Sequence, residues 1–358
     1  MTNLNMMSEN DNSTVLTEYK GLNKTETFYQ SEEALEKELI KTLVNQGYEY
    51  ITINNENEFI TNLRKQLEKL NHYHFTDSEW DIFFTNVIAN KNNHIIEKTR
   101  LIQEDYIQSI TLDNESLKNI YLIDKNNIHN NSVQVINQYI NNDGTYDNRY
   151  DVTILINGLP LVHCELKRRG VDLREAFNQI ERYQRDSFWA SSGLYEFVQI
   201  FIISNGTLTK YYSNTNREFH INNKTKTKSN SFEFTSFWAD QKNNSITDLI
   251  DFAKTFLTKH TLLNILTKYC VFTSEEDLLV MRPYQIVAAE KILNKINISY
   301  NNKLYGTIKS GGYIWHTTGS GKTLTSFKTS ILASKLEFID KVLFVVDRKD
   351  LEYQTMKE

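Results

Sequence analysis

Residues 151–167 read DVTILINGLPLVHCELK: two apolar runs joined by Asn157-Gly158, with an aspartate opening the first run and Glu165-Leu166-Lys167 closing the second. A bare charge in the interior of a buried strand is costly unless something pairs with it. The stretch therefore restricts the chain to a buried sheet that makes use of its charges, and a divalent metal is the partner that serves two carboxylates at once. Strand alternation sets His163, Glu165 and Lys167 on one face and Val162, Cys164 and Leu166 on the other. Whether Asp151 joins the first face depends on register, because a slip of one residue turns a whole strand over. A two-residue turn at Asn157-Gly158 predicts Asp151 opposite Cys164, on the wrong face. A three-residue loop over 157–159, with Gly158 or a bulge taking the positive φ, predicts Asp151 opposite Glu165, and this odd-length loop is the expectation.

At 358 residues the chain is too long for one compact core and predicts about two domains. A net charge of −5 argues against a generally basic nucleic-acid coat, although a local groove can be basic inside an acidic protein. Two cysteines, both in apolar surroundings, imply neither a disulfide framework nor a Cys-rich zinc site and fit a reducing compartment. With no run near 18 apolar residues and no basic-plus-apolar leader, the expectation is a soluble, cytoplasmic protein without membrane association.

Residues 1–20 are polar, Asn- and Ser-rich and aperiodic, which predicts a disordered tail. Ser31 is placed to cap a helix with Glu32 and Glu33 in its first turn and Leu35, Leu39 and Leu43 as its stripe, ending near Gly47. Its acidic residues read as a solvated face, with Glu32 or Glu36 facing a nearby metal site as the alternative. Further helices are predicted over 56–70 and from Asp77 through Val87, and short strands over 110–112, 120–123 and 132–139. Residues 173–188 have helical periodicity, with Gln179 and Tyr183 at i and i+4 on one face. Strands follow over 197–204 and 207–212, then a polar loop over 214–230 carrying Lys224, Lys226 and Lys228, then a helical segment over 247–269. The resulting division is 21–272 for the first domain and 273–358 for the second.

The second region opens with Arg282-Pro283-Tyr284-Gln285 ahead of a helical run over 286–296. Residues 313–315 predict a short buried strand, followed by HTTGSGKT at 316–323, a helix through Leu332 and a parallel strand over 341–346. Strand, Gly-rich loop and helix are the setting a phosphate-binding loop requires. There the backbone from Gly319 to Lys322 would cradle a β-phosphate, Lys322 would reach the β- and γ-phosphates, and Thr323 would hold Mg2+. His316 stands where the general pattern has its first glycine, leaving the TGSGKT core intact.

Taken together, Asp151, Glu165-Leu166-Lys167, Gln179 and Tyr183 resemble the PD-(D/E)xK nuclease superfamily with its QxxxY extension. Residues 282–285 resemble the Q motif of superfamily 2 helicase motors, residues 316–323 motif I and residues 345–354 motif Ia. A nuclease ahead of such a motor is the arrangement of the restriction (HsdR) subunit of type I restriction enzymes, and the wording NGLPLVHCELKRRG, SNGT, RPYQ and GGYIWHTTGSGKTLTS is similar to that family from about Ser31 onward. Tyr150 replaces the nominal proline of the nuclease motif, a position without chemistry.

The resemblance implies an α/β fold: a PD-(D/E)xK core of mixed central sheet flanked by helices, then an incomplete RecA-like P-loop domain. It implies an ATP-dependent, Mg2+-dependent endonuclease cleaving double-stranded DNA, with Asp151 and Glu165 on the metal and Lys167 orienting or deprotonating water. Gln179 and Tyr183 would hold the DNA strand or the active-site lysine, and Arg168, Arg169 and Arg348 would contact DNA. ATP would be held by Gln285, Thr318, Gly319, Ser320, Gly321, Lys322 and Thr323. The implied partners are modification and specificity subunits. No Walker B motif, second RecA-like lobe or arginine finger follows before Glu358, which reads as an N-terminal fragment with its motor activity lost. The alternatives are a DNA-dependent helicase or repair nuclease of the same superfamily and a non-catalytic assembly subunit.

Overall fold

The computed structural model describes residues 13–21, 30–141, 148–214 and 230–345. Helix α1 (Glu32–Asn45) starts where Ser31 accepts the Ala34 amide at 3.2 Å, and it buries Leu35, Leu39 and Leu43. After the short strand β1 (Glu49–Tyr50), α2 (Glu56–Asn71) is capped by Asn55 and buries Phe59, Leu63 and Leu67. Helix α3 (Asp77–Phe83) begins with a Thr76–Glu79 capping box and runs on as a π-turn over Phe84–Ile88. Helix α4 (Ile95–Gln103), which the sequence pattern did not single out, precedes the antiparallel hairpin of β2 (Ile107–Thr111) and β3 (Leu117–Tyr121).

The central sheet is completed by β4 (Val133–Asn141), β5 (Asn148–Ile156), β6 (Leu159–Leu166), β7 (Ile200–Ser204) and β8 (Thr209–Ser213), in the order β1-β4-β5-β6-β7-β8. It is mixed: β1 with β4 and β6 with β7 run parallel, the other neighbours antiparallel. Helix α5 (Leu173–Asp186) makes the crossover between β6 and β7, the long connection that two parallel strands require. Helices α1 and α5 pack on β6, every residue of which is buried.

The loop expectation fails in its means and holds in its end. Asn157 (φ 51°) and Gly158 (φ 82°) form a two-residue turn, with Ile156 facing Leu159. Positive φ at both positions is the type I′ turn that Asn-Gly favours. Asn157 is spent inside the protein, donating to Leu122 O and Asn131 Oδ1 and accepting the Ser132 amide at 2.9 Å. The odd residue is supplied one step further on: pairing passes from Leu155–Pro160 to Ile154–Val162, so Leu161 bulges. Pro160, which has no N–H to give a ladder, sits at that bulge. Beyond it Val152 faces Cys164, the register that brings Asp151 opposite Glu165.

Other expectations also shift. Within the expected tail, residues 14–16 are buried, Val15 completely; the Thr14 amide donates to Glu290 and Tyr19 hydroxyl donates to Asp251. Two adjacent apolar residues are too short a signal for periodicity to register. The helical segment over 247–269 breaks into Leu249–Thr255 and Lys259–Asn264 with a π-turn after it, because Thr258 caps a new helix through the Thr261 amide. Next to the boundary expected at 272/273, which the fold leaves open, Cys270–Phe272 pairs antiparallel with Leu278–Val280. Met281, Ile286 and Ala289 share the main core, so the start of the helix Pro283–Asn301 packs on the first region.

Residues 313–315 and 341–345 are not strands, and Tyr313, Trp315, Leu343 and Val345 are more than 80% exposed. Apolar, strand-prone runs become strands only by pairing, and neither has a strand partner among the described residues. No helix among the described residues is long and apolar enough to cross a membrane.

Candidate active site

The site lies where β5 and β6 part. On β6, alternation delivers the expected face: Lys167 Nζ donates to Glu165 Oε1 at 2.9 Å, and His163 Nε2 lies 3.4 Å from Glu165 Oε2. Glu165 and His163 are completely buried, while the Lys167 side chain keeps 12% of its surface.

Asp151 reaches this group by leaving the ladder. Lys167 N bonds Ser204 O of β7, so alternation aims the Leu166 amide at β5. In place of a strand carbonyl it finds Asp151 Oδ2 at 2.8 Å. The β4–β5 pairing passes from Asn137–Val152 to Tyr139–Tyr150 without Gln138 or Asp151, and Gln138 has a φ of 54°. Tyr150 and Thr153 are three residues apart, yet both meet His163, Tyr150 with ring centroids 5.8 Å apart and Thr153 Oγ1 at 3.2 Å from Nδ1. Regular alternation forbids that, so β5 is twisted out of register with itself at Asp151.

Electrostatics follow from burial. Desolvation lifts Asp151 to about 7, the Glu165 charge adds to the rise, and the Leu166 amide and Lys167 oppose it. Desolvation likewise lifts Glu165 to about 7 against the pull of Lys167, with the charge of Glu32 adding to the rise. His163 is held down to about 4 by burial, opposed by the charge of Asp151 and the Val152 carbonyl, and is neutral at physiological pH.

A fully buried carboxylate (Glu165) and a partly buried one (Asp151), both resisting ionisation, the first with an oxygen lacking any hydrogen-bond partner among the described residues (Oε2), fit a hard divalent cation. No group of three or more His, Cys, Asp or Glu side chains among the described residues gathers closely enough to enclose a metal. Mg2+ commonly takes one or two carboxylates and leaves the rest of its shell to water and phosphate oxygens.

The remaining expected residues divide. Tyr183 is buried beside this cluster, its ring 4.9 Å from that of Tyr150; its hydroxyl donates to Arg149 O at 2.9 Å and receives the Gln179 amide. The pair therefore grips the backbone two residues before Asp151, whereas Lys167 turns to Glu165 and the Leu166 carbonyl. Arg168 is exposed, but Arg169 is drawn inward, with Nε on Gln30 Oε1 at 3.1 Å and a terminal nitrogen 3.9 Å from Asp248. Arg348 and the lysines at 224, 226 and 228 lie outside the described residues. Glu36 is buried and accepts from Asn137 and Gln138, while Glu32 accepts the Arg168 amide at 3.4 Å. Thr153 and Tyr195, linked to His163 through the Thr153 hydroxyl, went unnoticed in the sequence. A threonine inside the run VTILI was the available signal.

In the second region, Gly319 (φ 76°) and Gly321 (φ 75°) shape a loop that feeds the helix Lys322–Ser334, with Lys322 exposed at its first turn. A helix N-terminus offers amides without intrahelical acceptors and the positive end of a dipole, which suit a phosphate. The Gln285 amide is tied at both ends, Oε1 to the Arg282 amide and Nε2 to Ser320 O, and the Tyr284 hydroxyl bonds the same carbonyl at 2.9 Å. The Tyr284 and Gln285 side chains thus hold the loop's backbone.

Comparison with known proteins agrees with this two-part reading. The family model for the type I restriction enzyme R protein N terminus matches residues 29–220, and that for the type III restriction enzyme res subunit matches residues 278–358. The chain is 48% identical over 312 residues to the type I restriction enzyme EcoprrI endonuclease subunit of Escherichia coli, covering 87% of this chain and 96% of that one. It is 42% identical over 336 residues to the type I restriction enzyme SsaAORF53P endonuclease subunit of Staphylococcus saprophyticus, covering 92% of this chain and 33% of the relative. A putative type I restriction enzyme endonuclease subunit of Methanocaldococcus jannaschii is 28% identical over 294 residues, covering 75% of this chain and 26% of the relative. The chain thus spans about a third of the staphylococcal relative's length.

Proposed function

The chain belongs to the type I restriction enzyme endonuclease subunit family, and from that premise we propose that Asp151, Glu165 and Lys167 form a Mg2+-dependent site that cleaves double-stranded DNA. The observation carrying the reading is the meeting of the buried Glu165, the partly buried Asp151 and one lysine where β5 parts from β6. Asp151 and Glu165 hold the cation, which when bound supplies Lewis-acid polarisation of the scissile phosphate and a bound water of lowered pKa. Lys167 orients or deprotonates the attacking water and offsets charge gathering on the phosphate. Burial strengthens each of these contacts by excluding water. Tyr183 and Gln179 fix the strand that carries Asp151, and Arg168 gives a phosphate contact that positions DNA without reading sequence.

In this proposal residues 21–272 form the nuclease and 273–358 begin an ATP-driven translocase. Thr318 to Thr323 receive the nucleotide phosphates, with Lys322 on the β- and γ-phosphates and Thr323 on their Mg2+, while Gln285 secures the loop. Modification and specificity subunits are the proposed partners, and target choice belongs to them. Incubation of supercoiled plasmid with the protein in Mg2+ or in EDTA tests the reading. Nicking in Mg2+ alone supports it; DNA binding without nicking under both conditions supports a binding module and contradicts it.

A further inference from the structure

Behind Glu165 lies a buried polar chain that metal holding and water activation do not use. Tyr195 hydroxyl lies 3.2 Å from Thr153 Oγ1, which lies 3.2 Å from His163 Nδ1. The other imidazole nitrogen, Nε2, stands 3.4 Å from Glu165 Oε2. His163, Glu165, Thr153 and Tyr195 are all buried, and neither Nε2 nor Oε2 has a hydrogen-bond partner among the described residues. Aromatic rings of Tyr150, Tyr183, Phe188 and Phe201 surround the imidazole and fix its plane.

Resting on the metal-site reading above, we infer that His163 is a positioning residue: its Nε2, 3.4 Å from Glu165 Oε2 and not hydrogen-bonded to it as the side chains stand, donates its proton to that oxygen once Glu165 is ionised to hold a cation, which fixes the rotation of the carboxylate, with Thr153 and Tyr195 fixing the tautomer. A carboxylate that holds a cation offers lone pairs only, so the nitrogen facing it must carry the proton. Nδ1 is then the acceptor and its donor is the Thr153 hydroxyl, the charge of an ionised Glu165 outweighing the Val152 carbonyl as the acceptor that draws the imidazole proton. Thr153 can give its single proton only once, so Tyr195 donates to Thr153 in turn. Lys167 beside Oε1 and His163 beside Oε2 flank Glu165 from two sides. Donors of this kind behind a ligand typically change metal affinity or activity by about 10- to 100-fold.

The test uses the full chain and Mn2+ alone as the probe, with affinity measured by calorimetric titration and melting temperature measured in EDTA. His163→Leu, which removes the donor, is expected to weaken Mn2+ binding about 10- to 100-fold. His163→Gln, whose amide can donate toward Oε2, is expected to recover most of that loss. Thr153→Val, which removes the tautomer-setting hydroxyl with little change of shape, is expected to weaken binding several-fold while the melting temperature in EDTA stays near wild type. It keeps the inference open to refutation should His163→Leu fail to fold. Wild-type affinity in both Thr153→Val and a folded His163→Leu overturns the positioning role while leaving the metal site standing. Wild-type affinity in Glu165→Gln overturns the metal-site reading itself, and the positioning role with it.

Discussion

Asp151 Oδ2 accepts the Leu166 backbone amide at 2.8 Å, taking the place that a β5 carbonyl holds in an unbroken ladder. One side chain is thus both a strand-pairing acceptor and a proposed metal ligand. Asp151→Asn keeps an acceptor for Leu166, whereas Asp151→Ala leaves a buried N–H unpaired, which costs about 1–3 kcal/mol. Urea denaturation in EDTA should therefore find the alanine variant less stable than the asparagine variant by about that amount. Equal stabilities would mean that the Leu166 amide has another acceptor.

Asp151 and Glu165 both have carboxyls raised to about 7 from ordinary values of 3.8 and 4.5. A group whose pKa rises on folding adds stability that is full below its unfolded value and is lost as pH climbs through the folded value. Without metal, the protein should lose stability between about pH 4 and pH 7 from these two groups, on the order of 3 kcal/mol from Glu165 alone. Added Mg2+ should restore melting temperature at pH 8 and have little effect at pH 5. Glu165→Gln should melt higher than wild type at pH 8 in EDTA and ignore Mg2+. Calorimetric scans at the two pH values check all three, and a Mg2+ response equal at both would contradict the assignment.

Tyr183 hydroxyl ties Arg149 O to Gln179, two residues before Asp151. Tyr183→Phe removes that tie at a cost of about 1 kcal/mol in stability. Its larger effect should be on cleavage, falling about 10- to 100-fold as Asp151 drifts from its place. ATP hydrolysis in the assembled enzyme should stay near wild type. A parallel loss of both activities would argue for a general folding defect.

Gly158 occupies the second turn position at φ 82°, and a Cβ there would stand 2.7 Å from Leu63 Cα of α2. Left-handed strain and a backbone clash act together, so Gly158→Ala should cost about 2 kcal/mol or more in chemical denaturation. Because the same turn leads into the Leu161 bulge that sets the Asp151–Glu165 register, the folded variant should also bind Mn2+ more weakly.

Much of this site was legible in the sequence because its residues break a local rule: charges at the ends of apolar strands, a lysine two positions after a glutamate, glycines in a loop before a helix. What stayed hidden depends on partners distant in sequence. The turn length was misjudged because Asn157-Gly158 meets its own two-residue preference while the correction sits at Leu161, where only pairing creates a bulge. The tie of Tyr183 to the Arg149 carbonyl stayed hidden because a helical period fixes its face and says nothing of which backbone it meets. Residues 313–315 and 341–345 have strand composition, yet composition supplies no neighbour to pair with. Thr153 and Tyr195 are joined only by folding, 42 residues apart in the chain.

The most direct test of the central claim is DNA cleavage by the assembled enzyme carrying Lys167→Ala, measured beside its ATP hydrolysis. Lys167 keeps contact with solvent through 12% of its surface while bonded to Glu165. The account predicts that cleavage falls to background while ATP hydrolysis remains. Cleavage retained at the wild-type rate would contradict the assignment of this site.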